Sequence, residues 1–310
     1  MTRGPLMPLS LSAVTFACVV LASSGARAFC RTTTQPAPAG YNPASIGACW
    51  VGDGGPVVDL AWPVGSRIAF SLDASASKQV ALSDATRIAD QAFAAWNGTP
   101  CPGGGLGVQV YDNGPVSADV AENDCGIVSC PNTVHDPLHV IVFRDDGWPY
   151  NDPVQTLALT TVTFGVNSGT IYDADIEINS SDPVDHPLTT LEPPPAGSYD
   201  LQTILTHEAG HFLGLAHATD PQAIMYAYYT PGSLHPQADD VAGICAVYPP
   251  VYPSGGACSV GMGRRDASRS LVAIVAVALG ILFRRCQRSR SPFHLAAGMR
   301  PPQSQKSSSS

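Results

Sequence analysis

The run His207-Glu208-Ala209-Gly210-His211-Phe212-Leu213-Gly214-Leu215-Ala216-His217 constrains this chain more than any other feature. On a helix, residues four apart lie one above the other, so His207 and His211 can offer two imidazoles to one metal ion. Glu208 stands beside the first histidine and can reach a water on that ion without taking a coordination position. Gly214 tolerates the left-handed backbone that breaks a helix and turns the chain back. Beyond that turn, His217 can supply a third nitrogen. Three neutral histidines leave one corner of a tetrahedral zinc site open for water, as a catalytic rather than a structural ion requires. Such an ion lowers the pKa of water toward ~7 and polarises a carbonyl. Glu208 is then the candidate base that takes the water's proton and returns it to a leaving amine. H-E-x-x-H alone is a weak signal. Core or surface histidines on a helix, however, do not account for the glycine and the third histidine.

The surrounding pattern predicts an α/β (α+β) domain. Arg67 to Leu72 alternates polar and apolar residues as a half-buried strand does. A helix is expected from about Ala85 to Trp96, capped by Ser83 or Asp84 and stopped by Asn97-Gly98-Thr99-Pro100. Further strands are expected at Val108–Tyr111, His139–Phe143 (apolar enough to be central), Leu157–Phe164 and Thr170–Asn179. Asp200 caps the helix that carries the motif, from about Leu201 to Leu213, and a last helix runs from Pro236 to about Val247. No internal repeat is visible.

Both ends read as processing or targeting segments. Residues 1–28 place Arg3 before an apolar stretch from Leu9 to Leu21 and finish Ala26-Arg27-Ala28, the pattern of a cleaved signal peptide, with a retained anchor as the alternative. At the far end, Leu271 to Phe283 is an apolar run followed by Arg284 and Arg285. It spans only about 20 Å at ~1.5 Å per residue, short of the roughly 30 Å hydrocarbon core. Upstream, residues 251–270 hold Ser254-Gly255-Gly256-Ala257-Cys258-Ser259; residues 284–310 are a basic, Ser-rich tail. This trio resembles the C-terminal sorting tags of bacterial surface proteins, in particular the myxobacterial type. That implies an exported chain, extracellular or on the cell surface, cut near Cys258. A plain C-terminal anchor is the alternative, and the membrane is met only through this tag.

Between the two ends, Arg31, Arg67, Lys78, Arg87 and Arg144 face all but one of the 25 acidic residues, Asp266 being the exception. Such an acidic domain repels nucleic acid and anionic lipid, and a soluble monomer is expected. Six of the nine cysteines remain there: Cys30, Cys49, Cys101, Cys125, Cys130 and Cys245. An even set in an exported chain points to three disulfides, of which the local pairs Cys30–Cys49 and Cys125–Cys130 are favoured. Residues 29–60 then form a disulfide-pinned lead-in to a catalytic domain over 61–250.

The motif resembles that of the metzincin zinc proteases, and its neighbours narrow the resemblance to the matrixins. Ala223-Ile224-Met225-Tyr226 is similar to the turn whose methionine packs beneath the metal, at the short distance from the third histidine that matrixins show. Tyr229 falls where the family has a tyrosine walling the pocket for the residue after the cut. Asp239-Asp240-Val241-Ala242-Gly243-Ile244, followed by Tyr248, is similar to the closing helix, and Ala94-Ala95-Trp96 to the end of the first helix. The resemblance implies a twisted mixed sheet with a first helix, an active-site helix and a C-terminal helix. It also implies one catalytic Zn2+ on His207, His211 and His217, Glu208 as base, and protein or peptide substrates laid along an edge strand near Leu157 to Thr161. The histidines that hold a second zinc in animal matrixins are replaced near Leu159 and Ile171, so that ion is not expected. Asp173, Asp175 and Glu177 offer carboxylates to Ca2+, though residues spaced by two on a strand more often make one polar face. Tyr226, Tyr228, Tyr229 and Leu234 read as an apolar pocket lining. Alternatives are a non-catalytic zinc-binding surface adhesin, which has no need of Glu208, a metzincin of another kind, and a hydrolase of a non-peptide bond.

Overall fold

Arg67–Leu72 (β2) buries Ile68, Phe70 and Leu72, and that alternation seeds a sheet over one core. The structure, a computed structural model, describes residues 29–38, 40–117, 138–182, 184–251 and 293–299. In chain order the elements are β1 (Cys30–Arg31), α1 (Pro43–Ile46), β2, α2 (Leu82–Asn97), β3 (Gln109–Asp112), β4 (Val140–Phe143), β5 (Ala158–Phe164) and β6 (Ile171–Ile178). Then follow β7 (Leu188–Thr189), β8 (Tyr199–Asp200), α3 (Leu201–Phe212), β9 (Leu215–Ala216), α4 (Ala238–Val247) and β10 (Phe293–Ala297). Six strands form one mixed sheet in the order β10-β5-β6-β4-β2-β3. β2 is parallel to β3 and β4, β4 is parallel to β6, and β5 and β10 run antiparallel to their neighbours. The mixed α/β architecture is the one expected, with β4 inside the sheet.

Two helices fill the core against this sheet. Phe70 of β2 stacks on Phe93 of α2 at 4.5 Å between ring centres, and Phe93 meets Phe212 of α3 edge-on at 5.2 Å. Fully burying each such side chain stabilises by roughly 1.5–3 kcal/mol. This stack fixes where the end of α3 sits beneath the strands.

Several expectations need correction. The first helix begins at Leu82, ahead of Ser83 and Asp84; Ala81 occupies the cap position and makes no side-chain cap bond. Asp84 still lies in the first turn, where a carboxylate complements the helix dipole. The last helix starts at Ala238, with Gln237 and Asp240 forming a reciprocal capping box. β5 is not the outer strand, because β10 pairs along it from Phe293↔Phe164 to Ala297↔Thr160. An open strand edge is a template of unpaired N–H and C=O groups, and residues assigned to the tail occupy it.

Cys30–Cys49 is bonded as expected, and Cys101–Cys245 joins the loop after α2 to α4 across 144 residues of sequence. The Cys125–Cys130 pair, residues 1–28, the sorting motif and the run 271–283 lie outside the described residues. Among the described residues, no helix is long and apolar enough to cross a membrane.

Candidate active site

The helix that carries the motif is held at both ends. Asp200 accepts hydrogen bonds from the N–H groups of Gln202 and Thr203, at 3.3 and 2.9 Å, so the expected cap is formed. Carbonyls from its middle to just beyond its end receive buried donors from distant elements, and those of Phe212 and Leu213 are ones that a helix end leaves without partners. Trp96 Nε1 donates to Thr206 O at 2.8 Å, Trp62 Nε1 to Phe212 O at 2.8 Å, and the Tyr248 hydroxyl to Leu213 O at 2.9 Å. Gly214 then takes φ +87°, with its backbone so close to Leu60 that an added Cβ would stand 2.5 Å from the Leu60 carbonyl oxygen. Only glycine suits that turn, and it sends the chain into β9 and on to His217.

The turn brings the three histidines together. One ligand nitrogen from each of His207, His211 and His217 lies within 4.8 Å of the others. His207 Nε2 and His211 Nε2 are 3.1 Å apart. Each of these two rings has its Nδ1 on a backbone carbonyl, His207 on Ile224 O at 2.7 Å and His211 on Leu215 O at 2.8 Å. A carbonyl only accepts, so Nδ1 carries the proton and the facing Nε2 atoms both present lone pairs. Burial pushes His211 down to about 4 and His207 well below its ordinary value, with the other two rings adding to the effect at His207. Both rings are therefore neutral near pH 7. Two bare nitrogens aimed at each other repel unless a cation lies between them, which is the donor set that zinc requires.

Glu208 is fully buried beside them. Thr160 Oγ1 donates to its Oε2 at 2.6 Å, and the Met299 N–H donates to Oε1 at 2.9 Å. Burial pushes this carboxyl up to about 8 against the opposing effect of those two donors. A cation held by the three imidazoles would favour the ionised form instead.

Met225 lies against α3 at Gly210, where an added Cβ would stand 2.2 Å from Met225 Sδ and 2.9 Å from Trp96. The turn is held in place by a contact distant in sequence. Buried Asp240, from the cap of α4, accepts from the N–H groups of Ile224 (2.8 Å), Met225 (3.2 Å) and Gln237 (2.8 Å). The Ile224 carbonyl in turn orients His207, so Asp240 bears on that ring's tautomer through one residue. A carboxylate three residues into a helix that closes a capping box was the available signal. Tyr229 is buried; its hydroxyl accepts from the Asp200 N–H at 2.8 Å, and its ring packs edge-on against Tyr199 at 5.1 Å. Tyr228 belongs elsewhere: its hydroxyl meets Asn42 Nδ2 at 3.0 Å and Ser45 Oγ at 3.3 Å. The lead-in thus packs against the site. β1 pairs with β9, and a cavity of about 300 Å³ lies between Thr32, Asn42, Trp50, Leu159 and His217.

Asp173, Asp175 and Glu177 share one face of β6, and each is engaged internally. Asp173 meets His139 Nδ1 at 2.7 Å, Asp175 accepts from the Val140 N–H at 2.7 Å, and Glu177 takes Arg144 and the Tyr150 hydroxyl. Burial, then Asp173 and Glu177, push Asp175 up to about 8, against the Val140 N–H and Arg144. Folded Asp175 therefore keeps a proton that the unfolded chain loses above its ordinary value of 3.8, and its own contribution to stability is expected to fall as pH rises from about 4 to about 8. Asp175→Asn keeps an acceptor for Val140 without the charge. Its melting temperature relative to wild type is expected to be a few degrees higher at pH 8 than at pH 5, the shift that about 1 kcal/mol gives a domain of this size. An equal difference at both pH values would contradict this.

The mixed sheet thus carries a histidine helix broken at glycine, with Met225 packed against that helix. Residues 141–249 match the family model described as Matrixin. The chain is 51% identical to human matrix metalloproteinase-20 over 55 residues, which are 17% of this chain and 11% of the relative. It is 30% identical over 103 residues to a probable matrix metalloproteinase of invertebrate iridescent virus 3 (33% of this chain, 26% of the relative). It is also 30% identical over 109 residues to human matrix metalloproteinase-26 (34% and 36%). The chain thus spans between about a tenth and a third of the length of these relatives.

Proposed function

We propose that this chain is an exported zinc-dependent endopeptidase, with His207, His211 and His217 as ligands and Glu208 as the general base. The observation that carries the reading is the convergence of three ring nitrogens beside a buried carboxylate that is not itself a ligand. When bound, zinc supplies a Lewis acid for the scissile carbonyl and lowers the pKa of an attacking water. Glu208 takes that water's proton and delivers it to the leaving nitrogen, while the Thr160 hydroxyl holds Oε2 in place. A peptide would take the place that β10 holds along β5, backbone to backbone. Tyr229 walls an apolar pocket for the residue after the cut, and Met225 supports the ligand helix by packing. Export rests on the pattern of residues 1–28 and on the two disulfides. Ca2+ is not assigned to Asp173, Asp175 and Glu177, whose oxygens already accept from His139, Val140, Arg144 and Tyr150.

The test is hydrolysis of casein or a peptide library by the purified protein. Cleavage is expected with zinc, lost with a chelator and restored by added zinc. A protein that binds one zinc tightly yet cuts no peptide would overturn the reading in favour of a binding protein.

A further inference from the structure

A peptide substrate would pair on the outer side of β5, and the chain's own residues 293–299 lie there. β10 runs antiparallel to β5 in continuous register. The pairing continues past it, with the Leu157 N–H donating to the Met299 carbonyl at 3.0 Å. Met299 is 1% exposed and belongs to the apolar cluster that includes Leu201, Leu205 and Tyr229. Gly298 passes so close to β5 that an added Cβ would stand 1.9 Å from the Ala158 carbonyl oxygen and 3.0 Å from Leu159 Cα. Gly298 also lines the cavity beside His217. The next backbone nitrogen, that of Met299, is hydrogen-bonded to Glu208 at 2.9 Å.

We infer that the Gly298–Met299 peptide bond is a substrate of this chain's own active site, presented by the pairing of residues 293–297 with β5. The inference rests on the endopeptidase reading. In that reaction Glu208 must hand a proton to the nitrogen that leaves, and the nitrogen it holds here is that of Met299. The strand supplies direction and register, the buried Met299 fixes the residue after the cut, and the close approach to Ala158 admits only glycine before it. One water is consumed. Its oxygen bonds to the Gly298 carbonyl carbon, the C–N bond breaks, and its proton passes through Glu208 to the Met299 nitrogen. The products are a carboxylate at Gly298 and an ammonium group at Met299. Cleavage breaks the covalent link between residues 293–297, which pair along β5, and Met299, whose carbonyl accepts from the Leu157 N–H. The pairing needs cleft and tail on one side of a membrane, so it describes a chain not anchored through residues 271–283.

Intact-mass spectrometry of the full chain incubated with zinc tests this, with casein hydrolysis measured in parallel. Loss of residues 299–310 is expected in wild type and none in Glu208→Ala. Gly298→Val is expected to slow that loss at least tenfold while still digesting casein. A wild type that digests casein but keeps its tail whole, or cuts it at another bond, overturns the inference alone. If neither casein nor tail is cut, the endopeptidase reading falls and this one with it.

Discussion

Glu208→Ala is expected to bind zinc about as tightly as wild type and to hydrolyse peptides about 10²–10⁴-fold more slowly, the usual contribution of a positioned acid–base group. Two features separate these effects. Glu208 is not among the three groups whose nitrogens converge, so its removal leaves the donor set intact. Its carboxylate is fixed by Thr160 from one side, at a position the protein maintains by burying a group that prefers water. Glu208→Gln retains the shape and the Thr160 contact but cannot take a proton, so it should lose nearly as much activity as alanine. Zinc stoichiometry and initial rates on one peptide decide the matter. An alanine variant with rates within twofold of wild type would remove Glu208 from the mechanism.

The second large effect concerns stability. The Cys101–Cys245 bond closes a loop of 144 residues, against 19 for Cys30–Cys49. Chain-entropy reasoning gives about 5 kcal/mol for the longer loop and about 3 kcal/mol for the shorter. Replacing both Cys101 and Cys245 by alanine is therefore expected to cost about 2–5 kcal/mol in urea unfolding, more than the same change at Cys30 and Cys49. It should also weaken zinc binding, because Cys245 sits on the helix whose Asp240 holds Ile224 and Met225. Equal losses from the two double variants, with zinc affinity unchanged, would contradict both points.

The site was legible in the sequence where its geometry is local. His207 and His211 share a helix face, Asp200 caps that helix, and Gly214 turns the chain to His217, all within eighteen residues of sequence. Elements with strong alternation or an apolar run, such as β2 and β4, were likewise readable. What escaped was long-range. Near Asp240 the sequence marks a helix cap and no more, not that the carboxylate reaches back to Ile224. Nothing near Trp96 shows that its indole meets the Thr206 carbonyl 110 positions later. The start of α2 was misplaced because a polar pair, Ser83-Asp84, reads as a cap, whereas helical backbone already begins at Leu82. Phe293-His294-Leu295-Ala296-Ala297 holds no β-branched residue and does not alternate throughout, and only its pairing with β5 marks it as a strand.

On this reading His217 joins two imidazoles set edge-on to each other around one ion. Anomalous diffraction at the zinc edge, from crystals of the zinc-loaded protein, addresses it most directly. One ion is expected ~2.0–2.1 Å from a ring nitrogen of each of His207, His211 and His217, with Glu208 outside that set. An ion bound without His217, or held by the Glu208 carboxylate, would contradict it.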